Sequence, residues 1–297
     1  MNKSNWIKLI RQREASEPVR VPADAKLRLA MIEGVRAVVF DVYGTLISSG
    51  VGDISLATEQ DRDQALKSTL IDNGFTLSSE AAGIALDKRL HAQIKLAQDK
   101  RRHEGIEYPE VEIREVWQDL IEALLDENLI RTKDIPDIDT LAIDYETRVN
   151  PTQAMPGLQD ALSTLEERDM PMSIISNAQF YTPLLFDTFL GKDLAALGFS
   201  MSCSVWSYQQ REGKPSKRLY EIAAEQLITH YGIQAHEALY VGNDIRNDIW
   251  PAQKVGFKTA LFAGDDRSLR RRKDDANCAD VLADIEITDL RQILDCI

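Results

Sequence analysis

The chain of 297 residues carries 35 basic against 48 acidic side chains, a formal net charge of −13, with 44% hydrophobic and 28% charged residues. That length suits two domains and that composition an ordinary folded core, while the negative balance argues against a nucleic-acid or anionic-membrane partner. No apolar run reaches the ~18–20 residues that span a bilayer, and Met1 to Ser16 lacks the apolar stretch of a secretory signal. Cys203, Cys278 and Cys296 are too scattered for a disulfide frame or metal site, so a soluble, cytoplasmic protein with reduced thiols is expected.

From Met1 to about Gly34 the chain is polar and mixed, with Pro18 and Pro22 interrupting any helix, and reads as an N-terminal extension (1–34) packed loosely on the core. Val35 to Phe40 is a β-branched run, the pattern of a buried parallel strand, and it ends in Asp41-Val-Tyr-Gly-Thr45, where Gly44 marks a sharp turn. Ile54 to Asn73, Ser78 to Glu104 and Pro109 to Asn128 then show apolar residues at three- and four-residue spacing, punctuated by Gly74, Gly105 and Pro109. No strand-like alternation interrupts them, which predicts an all-helical insert over 49–151. After Pro156-Gly157 helices alternate with strands. Helices are predicted at 158–168, 182–190, 217–230 and 245–255, and strands at 172–176, 201–206, 238–242 and 258–262. This alternation predicts the α/β class, a doubly wound parallel sheet built from 35–48 and 152–297, with ligands at the carboxyl ends of its strands.

Four polar clusters fall at those strand ends: Asp41 to Thr45, Ser176-Asn177, Gly213-Lys214-Pro215, and Gly242-Asn-Asp-Ile-Arg-Asn-Asp248. An aspartate at a strand end can attack an electrophile and split one hard step into two through a covalent intermediate. Asp244 and Asp248, four residues apart, can face one pocket with Asp41 and hold a hard cation such as magnesium. Each residue also has a plainer reading. Asp41, Ser176 and Asp248 could be turn formers or helix caps, and Lys214 a solvated loop charge. The runs Lys100-Arg-Arg102 and Arg270-Arg-Arg-Lys273 read as solvated faces, and His91, His103, His230 and His236 lie off the clusters. Trp117 and Trp206 read as packing residues.

In order and spacing the clusters resemble the four motifs of the haloacid dehalogenase superfamily, and the helical insert resembles the cap that family places between its first and second motifs. The resemblance runs from Val35 to about Asp265 and implies a hydrolase with Asp41 as covalent nucleophile. It implies Mg2+ bound by Asp41, the backbone carbonyl of Tyr43 and an acid of the fourth motif, Asp244 or Asp248. Ser176-Asn177 with backbone amides would bind phosphoryl oxygens, Lys214 would supply fixed positive charge, and Thr45 would steady the turn.

Two departures divide the reading. Tyr43 stands where superfamily phosphatases carry an acid–base aspartate, and a phenol of ordinary pKa ~10 is a poor base at neutral pH. The dehalogenases have Asp-x-Tyr-Gly-Thr, since a halide leaves without a proton, but their halide-binding arginine after the first motif has no match here. Asn243, not an aspartate, follows Gly242. A metal-free site would leave Asp41, Asp244 and Asp248 together without a cation, which raises carboxylate pKa values. That argument favours a magnesium-dependent phosphatase acting on a small phosphorylated metabolite. The alternatives are a metal-independent 2-haloacid dehalogenase-type enzyme and a weakly catalytic relative that binds a ligand or partner.

Overall fold

The computed structural model describes residues 3–49 and 59–297. In chain order, helix α1 (Lys3–Gln12) precedes strands β1 (Ala37–Phe40) and β2 (Ile47–Ser49). The insert follows with α2 (Glu59–Asp72), β3 (Thr76–Leu77), α3 (Ser79–Gly83), α4 (Asp87–His103), α5 (Ile113–Asp126), β4 (Ile130–Arg131) and α6 (Ile138–Val149). The chain then runs through β5 (Thr152–Ala154), α7 (Leu158–Glu167), β6 (Met172–Ser176), α8 (Thr182–Leu190), β7 (Val205–Trp206), α9 (Ser207–Gln210) and α10 (Lys217–Tyr231). It closes with β8 (Ala238–Gly242), α11 (Trp250–Val255), β9 (Lys258–Phe262) and β10 (Ile285–Ile287).

The predicted doubly wound sheet is present, six parallel strands in the order β10-β9-β8-β1-β6-β7. Helices cover both faces, so β1, β6 and β8 are buried along their whole length and read as continuous apolar runs rather than alternations. From β1 the strand order departs both ways, to β6 on one side and β8 on the other. Their carboxyl ends therefore open a crevice where Asp41, Ser176 and Asn243 meet.

The insert packs around its own apolar cluster, with Trp117, Leu66, Leu70, Leu120 and Leu141 among its buried members. It leaves and re-enters the core through the antiparallel pair β2–β5, in the register Ile47↔Ala154. It is not all-helical: β3 and β4 pair antiparallel, a two-residue ladder too short to register as alternation in the sequence. The helix predicted over 78–104 is two. Gly83 ends α3, and the Asp63 carboxylate accepts from the amides of Leu86 and Asp87 at 2.6 and 3.2 Å, starting α4 afresh. The predicted start at Ile54 and the stretch Gly50 to Asp53 lie outside the described residues. In the core, the strand predicted over 201–206 shrinks to β7 because Met201–Cys203 coils into a 3-10 turn, and β10 was not anticipated.

The N-terminal segment departs most from expectation. Before Pro18 interrupts, α1 forms and packs against both α8 of the core and α6 of the insert. Ile10 is 3% exposed, Trp6 Nε1 donates to Thr140 Oγ1 at 3.0 Å, and Arg13 donates to the Asp144 carbonyl and Thr147 Oγ1 at 2.6 and 2.9 Å. The extension is a docked element, because its apolar stripe fills a seam that neither domain closes alone. Ile10→Ala should therefore cost about 2–5 kcal/mol in denaturant unfolding, where a loosely packed extension would lose almost nothing.

Candidate active site

Asp41 sits one residue past β1, its amide still bonded to the Val241 carbonyl at 2.9 Å, so the sheet itself fixes its backbone. The chain then turns through Gly44 at φ +82°, where a Cβ would lie 2.6 Å from Asn243 Nδ2 and 2.7 Å from Ser268 Cβ. Only glycine allows both the conformation and the approach. Thr45 Oγ1 donates to Asn243 Oδ1 at 3.2 Å and Asn243 Nδ2 donates to the Ser268 carbonyl at 2.6 Å. Asn243 thus pins the turn after Asp41 to the loop after β9.

The charged centre is Lys214, 8% exposed. Its Nζ donates to Asp41 Oδ1 at 2.7 Å and Asp248 Oδ1 at 2.6 Å, and lies 3.1 Å from the Tyr240 hydroxyl. Its own amide donates to Asn177 Oδ1 at 2.7 Å, and Ser176 Oγ donates to Asp41 Oδ1 at 2.9 Å. Asp248 Oδ2 accepts from the amides of Asn243 and Asp244 at 3.0 and 2.9 Å, which requires Gly242, whose Cβ would fall 2.5 Å from the Asp248 side chain. Burial pushes the Asp248 carboxyl up to about 6; Lys214 pulls it down, while Asp41 and Asp244 add to the rise. Burial also pulls the Lys214 ammonium down, but Asp248 and Asp41 outweigh that and hold it above its ordinary value.

Asp244 is held differently. Its Oδ1 accepts from the amides of Arg246 and Asn247 at 2.9 and 3.3 Å and from Arg272 Nε at 3.0 Å, and its Oδ2 from Arg272 Nη2 at 2.6 Å. Arg270 to Arg272 are therefore no solvated face, while Lys273 is exposed. Backbone bonds from the Arg270 amide to the Asn243 carbonyl and from the Ile245 amide to the Arg270 carbonyl, both 2.9 Å, bring it against the fourth cluster. Arg270 and Arg272 join Asp41, Lys214, Asp244 and Asp248 around a cavity of about 160 Å³. A larger cavity of about 740 Å³, between α4, α5 and Arg211, includes none of these residues, and chemistry favours the smaller one.

These carboxylates do not fit a resident magnesium ion. Both oxygens of Asp244 and of Asp248 already accept from protein donors. Among the described residues no group of three acidic, histidine or cysteine side chains is placed to hold a metal. Only Asp41 Oδ2 accepts no hydrogen bond from the described residues. Tyr43 is half-buried, its hydroxyl 3.0 Å from Thr182 Oγ1, and burial with the nearby Glu146 carboxylate holds the phenol well above its ordinary range. It stays neutral and is no general base.

The plainer readings hold for several residues. His91 and His103 bond carbonyls of their own helix at 2.8 and 2.7 Å, Arg101 and Arg102 pair with Glu104 and Asp99, and all three cysteines are buried free thiols. Tyr240, Ser268, Arg270 and Arg272 are the site residues that sequence reasoning passed over. The available signal was a basic run in the loop after core strand β9 of an acidic chain.

A doubly wound sheet gathers acidic and basic side chains at its central strand ends, and a mainly helical insert separates its first strand from the rest. A family model described as haloacid dehalogenase-like hydrolase matches residues 35–256, and the chain belongs to that family of hydrolases. Its fold is similar to that of a 2-haloacid dehalogenase from Pseudomonas syringae pv. Tomato DC3000, at TM-score 0.55 and 18% identity over 88% of this chain and 97% of that one. It is also similar to a HAD phosphatase from Thermococcus onnurineus, at TM-score 0.50 and 19% identity over 88% and 99%. No curated protein matches the chain. Among the described residues no helix is long and apolar enough to cross a membrane.

Protonation of Asp248 removes a negative partner from Lys214, so turnover should fall as pH drops through about 6. A pH profile of kcat/KM checks this, and in Asp248→Asn the acid limb should vanish from whatever activity remains.

Proposed function

We propose that this hydrolase acts through a covalent ester on Asp41, without a resident metal, on a small substrate whose leaving group departs as a stable anion, a halide foremost. The observation that carries the reading is the division of labour between the two Asp41 oxygens. Oδ1 is held by Ser176 Oγ and Lys214 Nζ, while Oδ2 accepts no hydrogen bond from the described residues and Asp41 lines the cavity. In the first step Oδ2 attacks the substrate carbon, the new C–O bond forms, and the leaving group departs with the electron pair. No proton donor is required, which agrees with a neutral Tyr43. In the second step water adds to the Asp41 carboxyl carbon and negative charge gathers on Oδ1, where Ser176 and Lys214 already donate. Collapse returns the carboxylate and releases the hydroxylated product, the two water protons going to the product oxygen and to solvent.

Lys214 pairs with both Asp41 and Asp248, and Arg272 pairs with Asp244, so each of the three carboxylates has a cation beside it. Magnesium held by Asp244 would first require Arg272 to leave it, and magnesium held by Asp248 would require Lys214 to move.

Two assays separate the readings: halide release from 2-haloacids and phosphate release from aryl phosphates, each in chelator and in added magnesium. Halide release should proceed unchanged in chelator, and Asp41→Asn should lower it at least about 10³-fold without altering the fold. Phosphate release that appears only with magnesium would establish the phosphatase instead. Tyr43→Phe should leave kcat within about threefold of wild type, since a missing general acid or base costs ~10²-fold or more.

A further inference from the structure

The arginines around the strand ends differ in what neutralises them. Arg271 donates to both Glu286 oxygens at 3.0 and 2.6 Å, Arg272 forks onto Asp244, and Arg267 Nε lies 3.2 Å from Asp265 Oδ1. Arg270 faces the Asp41 cavity and, among the described residues, forms no ion pair with a carboxylate. Its Nη1 donates to the main-chain carbonyls of Arg267 and Leu269 at 2.7 and 3.1 Å, bonds that orient the guanidinium without cancelling its charge. The backbone on both sides is tied to the fourth cluster through the Asn243 carbonyl and the Ile245 amide. A planar donor fork, held by carbonyls and left positive at the wall of a cavity, suits a planar anion.

The lining charges narrow the kind of anion. Asp41, Asp244 and Asp248 stand against Lys214, Arg270 and Arg272, three negative against three positive, so the cavity is balanced before substrate enters. A carboxylate adds one negative charge to that balance, whereas a phosphoryl dianion adds two. The cavity of about 160 Å³ admits only a few heavy atoms. We infer that Arg270 is the specificity-determining residue, and that it reads the carboxylate of a small monocarboxylate whose reacting carbon is presented to Asp41. This rests on the reading of Asp41 as the nucleophile of the same cavity.

Propionate is the probe, because it has the carboxylate and no leaving group. Calorimetric titration of the full chain in chelator should show propionate binding, with propionamide undetectable and inorganic phosphate weaker than propionate. Arg270→Gln should weaken propionate at least about tenfold, and Arg270→Lys, which keeps charge but not the fork, should fall between. Circular dichroism establishes that each variant is folded, and if Arg270→Gln does not fold, the Arg270→Lys titration decides alone. Equal propionate affinity in wild type and variants overturns the inference, as does phosphate binding more tightly than propionate. The titration involves no turnover, so a nucleophile other than Asp41 leaves it readable, and its failure leaves the Asp41→Asn result standing.

Discussion

The molecule is organised around one buried ammonium group. Lys214 lies 2.7 Å from Asp41 and 2.6 Å from Asp248, and each of the three groups comes from a different part of the core: the end of β1, the loop before α10, and the turn after β8. A buried charge is tolerable only when paired, and removing one partner of such a set costs far more than the set contributes as a whole. The three strand-end segments must therefore arrive together or the core carries an uncompensated ion. The Asp41 carboxylate is oriented by the same interaction that makes the sheet's upper edge stable.

The insert is wired into this arrangement rather than laid over it. The Gly213 amide, next to Lys214, donates to the Tyr108 carbonyl at 2.7 Å, and the Glu110 amide donates to the Arg211 carbonyl at 3.1 Å. Pro109 and Glu110, which the sequence pattern assigns to the start of a helix, instead run as chain bonded to the segment that delivers the lysine. On the other side, Ser48 Oγ of the hinge strand donates to Asp265 Oδ2 at 2.8 Å, tying the domain connection to the loop that carries Arg270. The placement of the insert and the placement of the cavity's cations are thus linked through backbone bonds.

The fold and half of the charged centre were legible in the sequence for a local reason. The β-branched run before Asp41 and the strand–helix alternation after Pro156 are patterns of neighbouring residues, and the clusters at 41–45, 176–177, 213–215 and 242–248 each end such a pattern. What escaped depends on separation along the chain. The Asp63 carboxylate that restarts α4 lies 23 residues before the Leu86 amide it receives. The arginine that neutralises Asp244 lies 28 residues after it, inside a run that composition alone assigns to solvent. The premise of three carboxylates without a counter-cation overlooked this: the cation was in the chain, but its address was not. Tyr240 was hidden for a further reason, since a tyrosine in a wholly buried strand looks like packing until its hydroxyl is found 3.0 Å from Asp248.

The docking of α1 bears on movement. The helix is fastened to the insert through Trp6–Thr140 and Arg13–Thr147 and to the core through Lys3–Asp187, at 3.0, 2.9 and 2.9 Å. Any rotation of the insert about β2–β5 must carry α1 with one body and peel it from the other, so the N-terminal helix acts as a brake on the hinge.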